Sequence, residues 1–415
     1  MKNVIQGFIS AAVLSLLGAC QTNESSKVQL DTALSIHESM LVMDSHLDTP
    51  ALLVQDGFNI LARHDPILDY SQVDYPRMVE GGLDGGFWVI YSPQGPVTEQ
   101  GFEKSRDTAI LRALAIHKMA AAAPDKFEIA TEAEDAEKIH ADGKRIVYIS
   151  IENSYPIGED LSLAKTFYDL GVRMIGPVHF RNNQFGDSST DPDGKEWQGL
   201  SPLGKQLVKE TNRLGMMLDG SHGSDDLVRQ MIELSETPIV LSHSGANEVY
   251  DHPRNVPDDI LLKLAATGGV IQMNAFGSYL RALPTSPERR GAYQTLRQEL
   301  ANLENPTKEQ RDVFSAKRRE IDQQFPAALA NFEDFMDHFL YVLKLIGPNH
   351  VGVGADWDGG GGVAGMRDIT GFPKITERLL EEGYTQADLK KIWGGNLVRL
   401  LREVEAKKAE LNASH

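Results

Sequence analysis

Met40-Leu41-Val42-Met43-Asp44-Ser45-His46-Leu47-Asp48 runs from an apolar segment straight into a His-x-Asp pair. On a strand, His46 and Asp48 are two residues apart and project from one face. An imidazole and a carboxylate side by side at a strand end are ligands suited to zinc. His-x-Asp is a common pattern in long chains, and its weight here comes from the partners that the rest of the sequence supplies.

Strand-like apolar runs recur along the chain, at 41–44, 86–91, 146–151, 172–178, 216–219, 238–242, 269–274 and 351–355. Continuous apolar runs of this kind suit parallel strands covered on both faces, and the helical stretches between them suit crossovers. Clear helical patterns fall at 108–123, 202–214, 225–234 and 332–345. Eight strand–helix units with no low-complexity linker imply a single (β/α)8 TIM barrel over residues 35–405. The competing doubly wound sheet lacks its Gly-x-Gly-x-x-Gly turn after the first strand. A highly charged helical segment, 283–326, falls between the seventh and eighth units, where it reads as a solvated excursion or as a lid or subunit contact. Four glycines, 359–362, follow Asp358 with no Lys-Ser/Thr behind them, so a flexible loop at the barrel mouth is expected rather than a phosphate cradle.

The N-terminus reads as an address. Lys2, an apolar stretch from Val4 to Leu17 and Leu17-Gly18-Ala19-Cys20 form a secretion signal whose apolar core is too short to span a bilayer. The Leu-Gly-Ala-Cys ending resembles a bacterial lipobox, which makes 1–19 a signal peptide, Cys20 the lipidated residue and 20–34 a tether. An ordinary signal peptide or a short buried helix with an incidental cysteine is the alternative. The expected location is the periplasmic side of a bacterial membrane, taken to be the outer one. Residues 406–415 are read as a C-terminal tail. The formal net charge of −18 argues against nucleic acid or an anionic lipid surface as a charge-driven partner.

Catalytic groups of such barrels sit at the C-terminal ends of the strands. Strand one ends in His46 and Asp48, strand three in Glu152, strand four in His179, strand five in His222, strand six in His243 and strand eight in Asp356. Taken singly each histidine reads as a hydrogen-bonded structural residue; gathered at one rim, they need a metal or partners to offset their desolvation. His46, Asp48, His222 and His243, with Glu152 bridging, give three protein ligands to each of two zinc ions and leave positions for water. Two ions so placed hold a shared hydroxide and polarise a carbonyl. Asp356 is left free to carry a proton to the leaving nitrogen.

These residues resemble the membrane dipeptidase (renal dipeptidase) family of amidohydrolase-like metallopeptidases, peptidase family M19, over about residues 35 to 405. The carrying motifs are Asp44-Ser45-His46-Leu47-Asp48-Thr49-Pro50, the run from Leu214 to His222, Leu241-Ser242-His243-Ser244, Asp251-His252-Pro253-Arg254-Asn255-Val256-Pro257-Asp258-Asp259, His350 to Gly359 and Gly394-Gly395-Asn396. The resemblance implies a zinc-dependent hydrolase of dipeptides, including some with a C-terminal D-residue, that carries two zinc ions per chain. It implies His46 and Asp48 on one zinc, His222 and His243 on the other, and Glu152 between them. His179 matches the histidine that polarises the scissile carbonyl, Arg254 the arginine that clamps the substrate carboxylate, Tyr279 the tyrosine that assists it, and Asp356 the proton-transfer acid.

The chain departs from the family pattern at two places. Glu152 is followed by Asn153-Ser154-Tyr155 instead of small glycines, and the loop after His179 reads Phe180-Arg181-Asn182-Asn183-Gln184-Phe185-Gly186-Asp187 where an Asn-x-Asn-x-x-Trp pattern is usual. Both bear on side-chain preference. Two other functions fit the same residues: a binuclear-zinc amidohydrolase acting on an N-acyl amino acid or a lactam, and a metal-binding lipoprotein without catalysis. A homodimer is left open.

Overall fold

The computed structural model describes residues 32–301, 303 and 307–413; the expected signal peptide, Cys20 and most of the tether lie outside them. Ten strands follow one another: β1 (Met43–Leu47), β2 (Gly85–Ile90), β3 (Phe127–Ile129), β4 (Arg145–Ile151), β5 (Val172–Ile175), β6 (Met217–Leu218), β7 (Val240–Ala246), β8 (Asn255–Val256), β9 (Val270–Met273) and β10 (Val351–Val353). Parallel pairing gives one path β1-β2-β4-β5-β6 and a second β7-β9-β10. Single parallel bridges, Asp219 to Val240 and Leu47 to Trp357, join the two paths at both ends. The result is a closed ring of eight parallel strands, the (β/α)8 barrel, with no free edge in the ring.

The two further strands stand outside the ring. β3 pairs with the first half of β4, from Phe127↔Arg145 to Ile129↔Val147, while β5 takes up β4 from Ile149 onward. β8 adds two residues beside the end of β7. The ring strands are buried on both faces, as parallel strands between a filled barrel and a helical coat must be. At the starts of the strands, Met43, Phe87, Ile146, Met174, Met217, Val240 and Val270 pack with Leu397, Leu401 and Val404 of helix Asn396–Ala413. That helix therefore closes the end of the barrel opposite the catalytic rim, and residues 406–413, expected as a tail, are its last turns.

Strand one lies later than expected, at 43–47 rather than 41–44, which puts three polar residues inside it. Their burial is matched by partners. Asp44 Oδ1 accepts from the His46 backbone N–H at 2.7 Å and Oδ2 from Ala355 N–H at 2.9 Å, while Ser45 Oγ donates to the Ser242 carbonyl at 2.5 Å. β7 likewise extends through His243. Gly86, at φ 152°, pairs with Asp44, and a Cβ there would overlap the Asp44 carbonyl, so β1 and β2 can approach only with glycine at this point.

Helix Glu99–Ala122 begins before the expected residue 108, with Thr98 as N-cap accepting from Gly101 N–H. The charged segment before β10 forms helices Pro287–Ala301 and Lys308–Gln324, joined by Arg289 Nη2 to Asp322 Oδ1 at 2.7 Å and Lys317 Nζ to Glu299 Oε2 at 2.5 Å. This pair leans on the loop after β1: Arg319 Nη1 donates to the Leu68 carbonyl at 2.9 Å, and the Arg318 guanidinium lies 3.8 Å from the centre of the Tyr70 ring. From that loop the Gln72 backbone N–H donates to Asp358 Oδ1 at 2.6 Å, tying it to the barrel mouth. No helix among the described residues is long and apolar enough to cross a membrane.

Candidate metal centre and active site

The ends of the ring strands bring all of the expected site residues except Cys20 to one place. β1 supplies His46, with Asp48 just beyond it; β4 is followed by Glu152, β5 by His179 and β6 by His222; β7 carries His243 and β10 is followed by Asp356. Glu152 Oε1 is the hub. It lies 2.9 Å from His222 Nε2, 3.5 Å from His46 Nε2, 3.5 Å from His243 Nε2 and 3.6 Å from His179 Nε2. His46 Nε2 is also 3.4 Å from Asp48 Oδ2, and the His222 and His243 Nε2 atoms are 2.9 Å apart.

Three overlapping triads have ligand atoms within 4.8 Å of one another: His46–Glu152–His243, Glu152–His179–His222 and His46–Asp48–Asp356. His179 and Asp356 thus stand as near to the centre as the five residues read as ligands. Apart from the ion-pair contacts with Asp48 and Glu152, both buried ring nitrogens of His46 have no hydrogen-bond partner among the described residues. Imidazole nitrogens and carboxylate oxygens turned on a common point in a buried pocket form a donor set that fits zinc.

Burial and the mutual fields of these groups pull their protonation in opposite directions. Burial lifts Glu152 to about 8, and burial lifts Asp356 to about 8 with Asp48 adding to it. Burial works against a charge on His46, but Glu152 and Asp48 overcome it and raise the imidazole to about 10. Burial, helped by Arg254, drives His179 down to about 3; burial likewise takes His222 and His243 well below the ordinary range. A divalent ion among these groups would reverse that balance, since it favours carboxylate and neutral imidazole together.

A second layer of buried polar groups fixes the first. Asp219, at the end of β6, accepts from Ser221 N–H (3.0 Å), Ser221 Oγ (2.7 Å), Ser242 N–H (2.9 Å) and Ser242 Oγ (2.5 Å), so one carboxylate ties the His222 loop to the His243 strand. Asp48 N–H donates to the Trp357 carbonyl at 2.8 Å. Asp356 has φ 65°, a left-handed conformation that aspartate tolerates better than most residues, and its carbonyl accepts the N–H groups of Gly359, Gly360 and Gly361 at 3.2, 3.2 and 2.8 Å. A Cβ on Gly359 would overlap the Asp48 and Asp356 carboxylates. The glycine run is a tight turn that lets backbone pass beside two acids.

Arg254 is 2% exposed. Its Nη1 donates to the Ser221 carbonyl and its Nη2 to the His243 carbonyl at 3.1 Å, while Nε is buried and unpartnered. Tyr279 flanks it, with 5.4 Å between the guanidinium and the ring centre. A cavity of about 310 Å³ opens over these groups, lined among others by Asp48, Glu152, His179, Arg254, Tyr279 and Asp356. That volume falls in the range of small-ligand sites. Tyr91 and Arg112 line it as well; like Asp44, Asp219 and Asp358, they are not marked as site residues by the strand-end pattern. Asp44-Ser45-His46 and Asp219-Gly220-Ser221-His222 share an acid followed by serine and histidine, a visible signal for the orienting carboxylates. Arg112 carries no such signal on its helix.

The family profile described as membrane dipeptidase (peptidase family M19) matches residues 30–415. Dipeptidase aclJ of Aspergillus oryzae is 31% identical over 350 residues, covering 82% of this chain and 72% of the relative. Human dipeptidase 3 is 29% identical over 392 residues, covering 92% and 68%. Among solved structures, the probable dipeptidase PvdM of Pseudomonas aeruginosa superposes with a TM-score of 0.77 at 30% identity, covering 92% of this chain and 99% of the other. A metallo peptidase of Rhodobacter sphaeroides, solved with a phosphinate mimic of the dipeptide L-Ala-D-Ala, gives 0.69 at 26%, covering 88% and 99%. With the profile spanning nearly the whole chain and its ligand-bearing residues gathered at one rim, the protein belongs to the membrane dipeptidase family, M19, and is a metallo-dipeptidase.

Proposed function

We propose that this metallo-dipeptidase uses two zinc ions per chain, the first held by His46 and Asp48, the second by His222 and His243, with Glu152 shared. The observation that carries this is the position of Glu152 Oε1, within 2.9 to 3.6 Å of four imidazole nitrogens. Zinc bound there would polarise the scissile carbonyl and make water nucleophilic at neutral pH. The remaining work falls to side chains. Arg254, with Tyr279 beside it, holds the C-terminal carboxylate of the dipeptide through its unpartnered Nε. His179, kept neutral by burial, steadies the carbonyl oxygen as charge develops on it. Asp356 takes a proton from the attacking water and delivers it to the departing amine.

Acceptance of a D-residue on the C-terminal side is part of the proposal and draws support from the L-Ala-D-Ala mimic bound to the related Rhodobacter sphaeroides enzyme. So is export as a lipoprotein through Cys20, which the Leu17-Gly18-Ala19-Cys20 ending supports. The test is a panel of dipeptides, L,L and L,D, presented to zinc-loaded protein beside N-acyl amino acids and lactams. Turnover concentrated on the dipeptides is the expected result; turnover confined to the other amides overturns the reading.

A further inference from the structure

We propose that Arg112 is a specificity-determining residue, receiving an acidic side chain on the N-terminal residue of the dipeptide. The inference rests on the dipeptidase reading above and adds a substrate class to it. Arg112 lies in helix Glu99–Ala122, which follows β2, and it lines the catalytic cavity together with Tyr91, the residue after β2. Its guanidinium carbon is 5.4 Å from the Tyr91 ring centre. Nε and Nη1 are buried and have no hydrogen-bond partner among the described residues. Asp48 and Glu152 are the acids whose fields act on it, yet neither forms an ion pair with it among the described residues. A half-buried guanidinium left with open donors is costly unless a ligand completes it.

The ring order tells where on the substrate that ligand group sits. Going round the barrel as β1-β2-β4-β5-β6-β7-β9-β10, β2 and β7 are diametrically opposed. Arg254 follows β7 and Arg112 lies on the helix after β2, so the two arginines enter one cavity from opposite sides of the ring, and Glu152, His179, His222 and His243 line the same cavity. A dipeptide whose C-terminal carboxylate meets Arg254 and whose scissile bond lies over the histidines sends its N-terminal residue towards Tyr91 and Arg112. A neutral dipeptide carries one carboxylate, and this site offers open guanidinium donors at two ends. Aspartyl or glutamyl dipeptides satisfy both, because a planar guanidinium pairs with a carboxylate in two parallel hydrogen bonds.

The test compares the isosteric substrates Glu-Ala and Gln-Ala, with L- or D-alanine second, on the full zinc-loaded protein. The wild type is expected to favour Glu-Ala by about tenfold or more in kcat/KM, with the difference mainly in KM. Arg112→Met should bring that ratio to about one, and Arg112→Lys should keep part of the preference. A wild-type ratio near one, or a preference that survives Arg112→Met, overturns the inference and leaves the dipeptidase reading standing. Equal losses on both substrates in Arg112→Met overturn it as well, by showing that Arg112 only balances the charge of Asp48. No turnover of either dipeptide, with turnover of an N-acyl amino acid, overturns both. Should Arg112→Met fail to fold, the wild-type ratio and Arg112→Lys still decide.

Discussion

Asp219 reaches His243 through one hydroxyl: Ser242 Oγ donates to Asp219 Oδ2 at 2.5 Å and lies 2.8 Å from His243 Nδ1. A serine has a single proton to give, and the carboxylate takes it, so His243 Nδ1 must be the donor to Ser242. His243 Nε2 is then a bare lone pair, facing Glu152 Oε1 at 3.5 Å and His222 Nε2 at 2.9 Å. That lone pair is what a metal ion at this place would take up, so the Ser242 link sets the tautomer a ligand needs. Ser242→Ala leaves Asp219 Oδ2 and His243 Nδ1 without that link. Zinc affinity, measured by competition with a chromophoric chelator, should fall about 10- to 100-fold, as for other residues that orient a metal-bound histidine. An affinity within twofold of wild type would contradict this role.

Asp356 is assigned proton transfer and no ligand role. Asp356→Asn keeps the shape and removes the base, so kcat on dipeptides should fall by about 10²- to 10⁴-fold. Zinc content measured on the same preparation should equal that of wild type. Loss of one ion per chain along with activity would make Asp356 a ligand, a geometry that its closeness to His46 and Asp48 allows.

Arg254→Ala should lower kcat/KM for dipeptides by at least about 30-fold, the scale of a lost buried charge pair. The discriminating substrate is the same dipeptide with its C-terminal carboxylate amidated. Wild type should prefer the free acid strongly, and Arg254→Ala should lose that preference. A variant that still prefers the free acid would place the carboxylate elsewhere.

His37 gives the fold a pH dependence of its own, away from the metal centre. It is fully buried, its Nδ1 2.7 Å from Thr376 Oγ1 and its Nε2 3.0 Å from the Gly81 carbonyl, and burial pushes its pKa down to about 4. Below the ordinary histidine value of 6.5 the unfolded chain takes up a proton that the folded chain refuses. Stability therefore falls as pH drops from 6.5 towards 4, by about 3 kcal/mol from this residue, and it is fully present above 6.5. Denaturant midpoints of metal-free wild type and His37→Leu should show the variant weaker at pH 8 but with a shallower loss between pH 6.5 and 4. Parallel slopes would remove His37 as the source.

Most of the barrel is legible in the sequence because its parallel strands are buried on both faces, so that 146–151 or 269–274 reads as unbroken apolar residues. β1 and β7 are displaced because Asp44, Ser45, His46 and His243 belong to strands despite their polarity, each held by partners distant in sequence. β3 and β8, of three and two residues, owe their existence to a neighbouring strand rather than to their own composition. In the site, His46, Asp48, Glu152, His179, His222, His243 and Asp356 are legible from their places at the strand ends, whereas Tyr91 and Asp219, which also follow ring strands, carry no such mark. Arg112 is not legible either, since a helix shows its inward-facing arginine no differently in sequence from an exposed one, and only the closure of the ring sets it opposite Arg254.

A zinc titration tests the two-zinc catalytic centre most directly. Protein stripped by exhaustive chelation and resupplied with zinc in known amounts should recover dipeptide hydrolysis up to two equivalents per chain, with bound zinc by elemental analysis levelling at the same point. Full activity at one equivalent would contradict the paired centre, and hydrolysis persisting after complete removal of metal would contradict metal catalysis altogether.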